Sequence, residues 1–446
     1  MQNAKRVVAL LAAATLATGS LVACGNDSGS SEGDAKGKVY FLNWKPESEE
    51  TYKAIAKEYT EATGVEVKVQ TAASGTYEQT LKSEVTKSSA PTLFQINGPV
   101  GLKSWQAYAA DLSDAAFTKD LTDPGLALKG EDGKVYGVPL AVEGYGIIYN
   151  NAIMEKYFAT AGAKATSMDE INGFDKLKEV ADDMQAKKAE LGIDGVFAST
   201  SLATGEGWRW QTHLMNLPVH FEYADDNVTD KDVITFKYNN EYKNLFDLYL
   251  TDSTVEKTLT PSKTVTDSMA EFATGKAAMV QNGNWAWSQI KDVEGNTVQE
   301  ADIKFLPMYG GFPGEDKMGI AVGTEAFMAV NAKASEADQK ATIDFVNWLF
   351  SDEKGKQHVT EELGFIAPFK SFGEAAPSDP LAKEIARYLS SDLTPVPWDF
   401  TTFPSQAFKD NLEQLLAQYA SGNVSWDELV KSVNETWASE KAAVNG

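Results

Sequence analysis

The stretch VQNGNWAWSQI, residues 280–290, sets Trp285 and Trp287 two positions apart beside Asn282, Gly283 and Asn284. An indole offers a flat apolar face, and an amide offers both a donor and an acceptor. Similar groupings recur along the chain: Asn43, Trp44 and Glu47 in LNWKPE, Asn97 in QINGP, Glu143 and Tyr145 in AVEGYG. Further on come Glu206, Trp208 and Trp210 in TGEGWRW, and Trp398 and Asp399 in VPWDF. A ring with one C–H face and an equator of hydroxyls, which is the shape of a sugar, matches such a set. The indole covers the face while carboxylates or amides meet the rim. Removing about 60 Å² of sugar and indole surface from water gives roughly 1.5 kcal/mol per stacked ring. Each carboxylate at the rim adds a charge-assisted hydrogen bond. At most one of the two indoles need be a platform, and Trp287, just before SQI, is expected to be core. Trp105, Trp348, Trp426 and Trp437 fall within helical patterns and are assigned to core.

Other chemistries find less support in the residues. His213, His220 and His358 share no close metal-ligand spacing, and the single cysteine is Cys24, so neither a zinc site nor any other metal or cofactor is expected. No G-x-S-x-G elbow, Walker A loop or G-x-G-x-x-G follows a strand. With 64 Asp and Glu, some carboxylates will gather in any cleft. A surface glycoside hydrolase using Glu143 or Glu206 with Asp399 is therefore the alternative reading, and a receptor for peptides or polyols is a third. The formal charge of −24 opposes binding to nucleic acid or to an anionic membrane surface.

Ligands meet open α/β sheets at the carboxyl ends of strands, so the elements that precede these loops matter. KVYFLNW (38–44) reads as a buried strand. Tyr52, Ile55, Ala56, Tyr59 and Ala62 then recur at helical spacing, with Ser48 as cap, Glu49 and Glu50 in the first turn and Gly64 at the end. VEVKVQ (65–70) alternates as a second strand, which completes a βαβ unit and predicts a mostly parallel sheet. APTLFQI (90–96), KVYGVPLAV (134–142) and YGIIYN (145–150) read as further strands. Helices are predicted at about 174–190, 265–274 and 335–350, along the stripe Phe408, Leu412, Leu415, Leu416 and Tyr419, and after the capping box of Ser425 and Glu428. A chain of 446 residues exceeds the size of one core, and the expected architecture is two α/β lobes.

Lys5 and Arg6 precede an apolar run, Val7 to Ala23, that ends in LVAC. A basic start, a short apolar stretch and small residues before a cut describe a signal peptide over 1–23. Leu21-Val22-Ala23-Cys24 resembles the lipobox of bacterial lipoproteins, which implies a diacylglyceryl group on Cys24. GNDSGSSEGDAKGK (25–38) then reads as a flexible tether, with 24–37 as its bounds. The expected location is the outer face of the cytoplasmic membrane, reached only through that lipid, since no second long apolar run follows.

EFATGKAAMVQNGNWAWSQI (271–290) resembles the F-x-x-G-K-A-A-M…N-G-x-W segment of family 1 extracellular solute-binding proteins of ABC importers, the maltose-binding-protein-like group. EATGVEV (61–67), KVYGVPLAVEGYGIIYN (134–150) and ATIDFVNWLFSDEKG (341–355) fit the same family in order. The resemblance implies a periplasmic-binding-protein-like fold of two α/β lobes, joined by a hinge of three chain crossings with the ligand closed between them. It places lobe 1 at 38–145 and 312–350, and lobe 2 at 146–311 and 351–446. It implies sugar contacts at Glu143, at Glu206 and Trp208, and at Trp285 as platform, with Trp398 a looser match. Its partners would be an oligosaccharide and the permease of an ABC transporter, and the receptor itself a monomer and no enzyme. NWKPESEE lacks the acidic-basic pair of maltose binders and QINGP lacks their tryptophan-aspartate loop, which points away from maltodextrin.

Overall fold

The structure, a computed structural model, describes residues 36–73, 75–373 and 377–445; the signal peptide, Cys24 and most of the tether lie outside the described residues. β1 (Val39–Asn43) is buried along its whole length, as an apolar strand covered on both faces must be. The helix Glu49–Thr63 follows, turning Tyr52, Ile55, Ala56 and Tyr59 inward and ending on Gly64 in the left-handed conformation. Ala62, at the end of the predicted stripe, is exposed, and Ser48 stands at the N-cap without a side-chain hydrogen bond. β2 (Val67–Thr71) returns parallel to β1, with Val67 opposite Val39.

β3 (Leu93–Asn97) joins the other side of β1, also parallel. Beyond it the sheet turns antiparallel through β11 (Ala326–Val330), β5 (Val135–Pro139) and the edge strand β4 (Leu128–Lys129). The predicted parallel sheet is therefore confined to β2-β1-β3. β11 enters from the second sheet by the short link Thr324–Glu325 rather than by a crossover helix, so nothing obliges it to run parallel.

β6 (Glu143–Asn150), buried at all eight positions, is the spine of the second sheet. β8 (Ala277–Gly283) pairs along one side of it. The other side is shared: β10 (Met318–Gly323) pairs with Glu143–Tyr145, and β9 (Ile303–Leu306) with Ile147–Asn150. β7 (Gly195–Phe197) lies on β8 and β12 (Thr394–Val396) on β10, both parallel. Each sheet carries an apolar cluster on either side, Phe41 with Phe345 and Leu42 with Phe94 in the first, Ile147 with Leu214 and Ile148 with Phe272 in the second. Two helix-covered sheets in one chain are the two α/β lobes expected from the sequence.

Strand pairing moves the expected lobe boundaries. Met318–Gly323 belongs to the second sheet and not, with the rest of 312–350, to the first lobe. Val359, Phe365, Phe369 and Phe372 pack with Val39 and Phe41, so 351–373 lies with the first lobe and not the second. The first passage between sheets falls between Pro139 and Glu143, the second at Thr324–Glu325, and the third just before the helix Pro380–Leu389, since Ser378 N still donates to Thr360 O at 3.0 Å. Periodicity reveals which face of a helix is buried, but not which sheet covers it.

The remaining helices stand close to their predicted places, at Phe174–Ala186, Val265–Ala273, Glu336–Ser351, Gln406–Ala420 and Trp426–Asn445. At the last, Glu428 N donates to Ser425 Oγ at 3.3 Å and Ser425 N donates to the Glu428 carboxylate at 2.9 Å, the reciprocal capping box. No helix among the described residues is long and apolar enough to cross a membrane.

Candidate functional site

The loop after β1 is held by its own first residue. Asn43 Nδ2 donates to the Lys45 carbonyl at 2.7 Å and to Thr71 Oγ1 at 3.2 Å, while its Oδ1 accepts from Lys45 N at 3.1 Å. Trp44 stands edge-on to Tyr77 at 5.5 Å, and its backbone N donates to Gln95 Oε1 at 2.7 Å. Lys45 reaches the second sheet: its Nζ lies 2.7 Å from Glu143 Oε1 and 3.9 Å from Glu47 Oε1. Burial opposes the charge on Lys45, but Glu143 and Glu47 outweigh it and hold the ammonium above its ordinary range. For Glu47 burial wins over Lys45, and its carboxyl titrates above the usual range.

On the other lobe a π-helix, Arg209–Leu214, interrupts the path into the helix Met215–Asp226. It seats His213 flat on Tyr145, with ring centroids 3.9 Å apart and planes within 6°. Trp208 meets the imidazole edge-on at 5.1 Å, Trp285 lies 5.7 Å from it, and the two indoles are 5.9 Å apart. Tyr145 continues the wall to Trp398 at 5.5 Å, and Trp398 to Phe400 at 5.0 Å. Tyr145, His213, Trp398 and Phe400 are buried and form the base, whereas Trp208 and Trp285 are half-buried and keep some indole surface exposed. Two glycines make room for the indoles. A Cβ on Gly323 would stand 2.5 Å from Trp398 Cγ, and one on Gly283 would overlap the Trp285 ring. The Arg209 guanidinium lies 4.6 Å over Trp208 and is itself buried, which pulls its pKa down to about 10 against the pull of Glu206 and Glu413.

The lobes meet across this wall. Gly75 stands against the Gly205 carbonyl and Gly98 against Thr401. Lys45 Nζ lies 5.4 Å from the Trp285 ring, and Lys409, from the helix Gln406–Ala420, lies 3.9 Å from Glu325 Oε1 at the second passage.

The predicted residues separate into groups. Glu47, Glu143, Tyr145, Trp208, Trp285 and Trp398 converge at the meeting of the lobes. Asn284 is a clamp, with its N donating to Gly144 O and its Oδ1 accepting from Gly144 N, both at 3.0 Å. Glu206 accepts from Val265 N at 3.1 Å, at the start of the helix Val265–Ala273, and Asp399 Oδ2 lies 2.7 Å from His220 Nδ1. Asn97 begins the helix Gly98–Trp105, and its buried Oδ1 has no partner among the described residues. Asn43 is fully buried and spends its amide on the loop, and Trp210 packs edge-on against Tyr249 and Phe246 in the core. Trp287, 8% exposed, lies in the core with Met269 and Ile290. Lys45, Arg209, His213, Glu325 and Lys409 were absent from the predicted set. The signal for Lys45 was its place beside Trp44; His213 gave none, because its position depends on the π-helix. Among the described residues no group of three or more His, Cys, Asp or Glu is placed to hold a metal.

Burial, with Arg209 and Lys409 adding to it, drives His213 well below the ordinary histidine range, so the folded protein holds it neutral. The unfolded chain protonates it near pH 6.5, so the associated stability is complete above that pH and is lost as the pH falls. Denaturant unfolding should show wild type losing about 1 kcal/mol more between pH 7 and pH 5.5 than His213→Gln does. Raised carboxyls such as Glu47 act in the opposite sense in both proteins, so the difference is the readout. Equal losses would contradict the assignment.

The chain matches the family described as bacterial extracellular solute-binding protein over residues 54–386. It is 24% identical over 356 residues to a multiple sugar-binding protein of Streptococcus mutans, covering 77% of this chain and 78% of that protein. Over 83 residues, 18% of this chain and 19% of the other, it is 36% identical to the melibiose/raffinose/stachyose-binding protein MelE of Bacillus subtilis. Among solved structures, a chitin oligosaccharide binding protein superposes with a TM-score of 0.71 at 20% identity, over 92% of this chain and 98% of that one. The binding protein RafE in complex with raffinose superposes with a TM-score of 0.70 at 18% identity, over 91% and 99%.

Proposed function

The chain belongs to the bacterial extracellular solute-binding proteins, and from that premise we propose that it captures an oligosaccharide for the permease of an ABC importer. One observation carries the reading. Two half-buried indoles, Trp208 and Trp285, stand 5.9 Å apart on a buried aromatic base, beside Glu143, where the lobes meet. Apolar faces next to a carboxylate suit a ring that is apolar on one side and hydroxylated at its edge. The sugar-binding relatives named above support the same class of ligand. As a solute-binding protein the chain is a receptor and not an enzyme. Of the carboxylates a glycoside hydrolase would use, Glu143 or Glu206 with Asp399, Glu143 is paired with Lys45, Glu206 accepts from Val265 N and Asp399 is engaged by His220.

The receptor works by closure. A ligand held by Glu47 on one lobe and by Trp208 and Trp285 on the other biases the lobes toward their closed arrangement, which the permease recognises. Movement is confined to the three passages between the sheets, which connect two separately packed cores. The receptor acts as a monomer, exported and held at the membrane through a lipid on Cys24.

A thermal-shift screen over neutral oligosaccharides, peptides and polyols tests the ligand class, since a ligand that binds only the folded state raises the melting temperature. Oligosaccharides should raise it and be recovered uncut; shifts only with peptides or polyols would refute the reading. Trp285→Ala should weaken binding of the best oligosaccharide by about 1.5–3 kcal/mol, roughly ten- to 150-fold, with little change in the unliganded melting point. Trp287→Ala should instead cost about 3–5 kcal/mol of stability, as a buried large-to-small change. The inverse pattern would exchange the roles of the two indoles. For the anchor, mass spectrometry of membrane-extracted protein should find a diacylglyceryl cysteine at position 24. A correctly cleaved Cys24→Ser protein that stays membrane-bound would rule the lipid out.

A further inference from the structure

Glu413 is a carboxylate in an apolar stripe. The helix Gln406–Ala420 turns Phe408, Leu412, Leu416 and Ala420 inward, and Glu413 falls among them, 6% exposed. A carboxylate in such surroundings has to be met by donors. They come from more than 200 residues away in the chain: Gly205 N donates to Glu413 Oε1 at 2.8 Å, and Gly207 N to Oε2 at 2.7 Å. Each oxygen serves one amide, so the carboxylate grips the TGEG segment at two points.

The segment is shaped for that grip. Gly205 has a φ of +82°, which glycine adopts without strain, and a Cβ on Gly207 would stand 2.7 Å from Glu413 Cγ. Glu206, between them, donates its N–H to Ala203 O at 2.8 Å and accepts from Val265 N at 3.1 Å. Three successive amides are thus bonded, two of them by Glu413.

The aromatic wall begins where the grip ends. Trp208 is the next residue, and the Gly207 carbonyl accepts from Trp210 N at 2.9 Å and Gln211 N at 3.0 Å, opening the π-helix that seats His213 on Tyr145. Arg209, stacked over Trp208, is tied to the same segment, its Nη2 donating to Glu206 O at 3.0 Å. A shift of Gly205 and Gly207 would therefore move the Trp208 face and the start of the π-helix together.

We propose that Glu413 is the positioning residue of the binding wall: by gripping Gly205 and Gly207 it sets where Trp208 stands, and so how tightly a sugar ring stacks there. The inference rests on the oligosaccharide reading above and adds to it the residue that holds one of the two indole platforms.

Hydrogen exchange and calorimetry of the mature protein at pH 7 test it in Glu413→Gln, whose side-chain amide keeps one acceptor oxygen and leaves the second N–H unmet. Without ligand, the amides of Gly205 and Gly207 should exchange at least about tenfold faster than in wild type, while Ile147–Tyr149 in the same lobe keep their protection. Raffinose and the fully N-acetylated β-1,4-linked glucosamine tetrasaccharide are the neutral probes of binding. Glu413→Gln should weaken whichever binds by at least about fivefold, and the loss should shrink below about twofold in a Trp208→Ala background, where no platform is left to place. Unchanged exchange at Gly205 and Gly207, unchanged affinity in a folded Glu413→Gln protein, or an equal loss in the Trp208→Ala background overturns the proposal. If wild type binds neither probe, it is the oligosaccharide reading that suffers, and the exchange rates alone decide whether Glu413 holds the segment.

Discussion

A buried ammonium has to be paired, and Lys45 is buried between two sheets. Its partner, Glu143, lies 98 residues away, at the first position of the second sheet's central strand. Leaving either charge without the other would cost about 3–5 kcal/mol, so the pair fixes how the first loop of one lobe faces the first strand of the other. Much else follows from that placement. Asn43 must turn the loop tightly enough to aim Lys45 inward, and it does so by bonding both sides of the turn. Glu143 lies opposite Gly323 of β10, whose missing side chain admits Trp398.

The aromatic wall is built from the same strand upward. Tyr145, two positions along from Glu143, is fully buried and carries His213 flat against it. A charged imidazole there would have to share a dry pocket with Arg209 and Lys409, which is why it stays neutral. The π-helix aligns these groups at the cost of regular helical bonding, a common compromise at functional positions. Asn284 closes the arrangement from β8, clamping Gly144 so that Trp285 leaves the strand beside the base and not within it. The two exposed indole faces are thus the top of a rigid stack, positioned by buried groups that have no need to touch a ligand.

What the sequence revealed of this was local. The first βαβ unit was legible because Tyr52, Ile55, Ala56 and Tyr59 repeat at helical spacing between two apolar runs. The last helix is legible from Ser425 and Glu428 followed by Val430, Val433 and Trp437 at helical spacing. Trp285 and Trp287 lie two positions apart in one run, and only the turn after Gly283, seen in the structure, sends them to different environments. Long-range facts were not legible. Nothing in MGIAVG says that it pairs with Glu143–Tyr145, and nothing in Val359 or Phe365 says which sheet they cover. Trp208 and Trp210 look alike in GWRW, yet one faces the wall and the other packs on Tyr249, because the π-helix sets their directions. Lys45 is illegible for a related reason: a lysine in a polar loop looks solvated until its distant carboxylate is known.

The central claim is that two separately packed lobes close on an oligosaccharide at the wall between them. Small-angle scattering of the mature protein, with and without the oligosaccharide that most raises its melting temperature, tests this most directly. A smaller radius of gyration is expected at saturating ligand, with a profile that converges on the arrangement in which Lys45 meets Glu143 and Trp285. A radius unchanged by saturating ligand would contradict it and would mean a rigid cleft instead of a closing one.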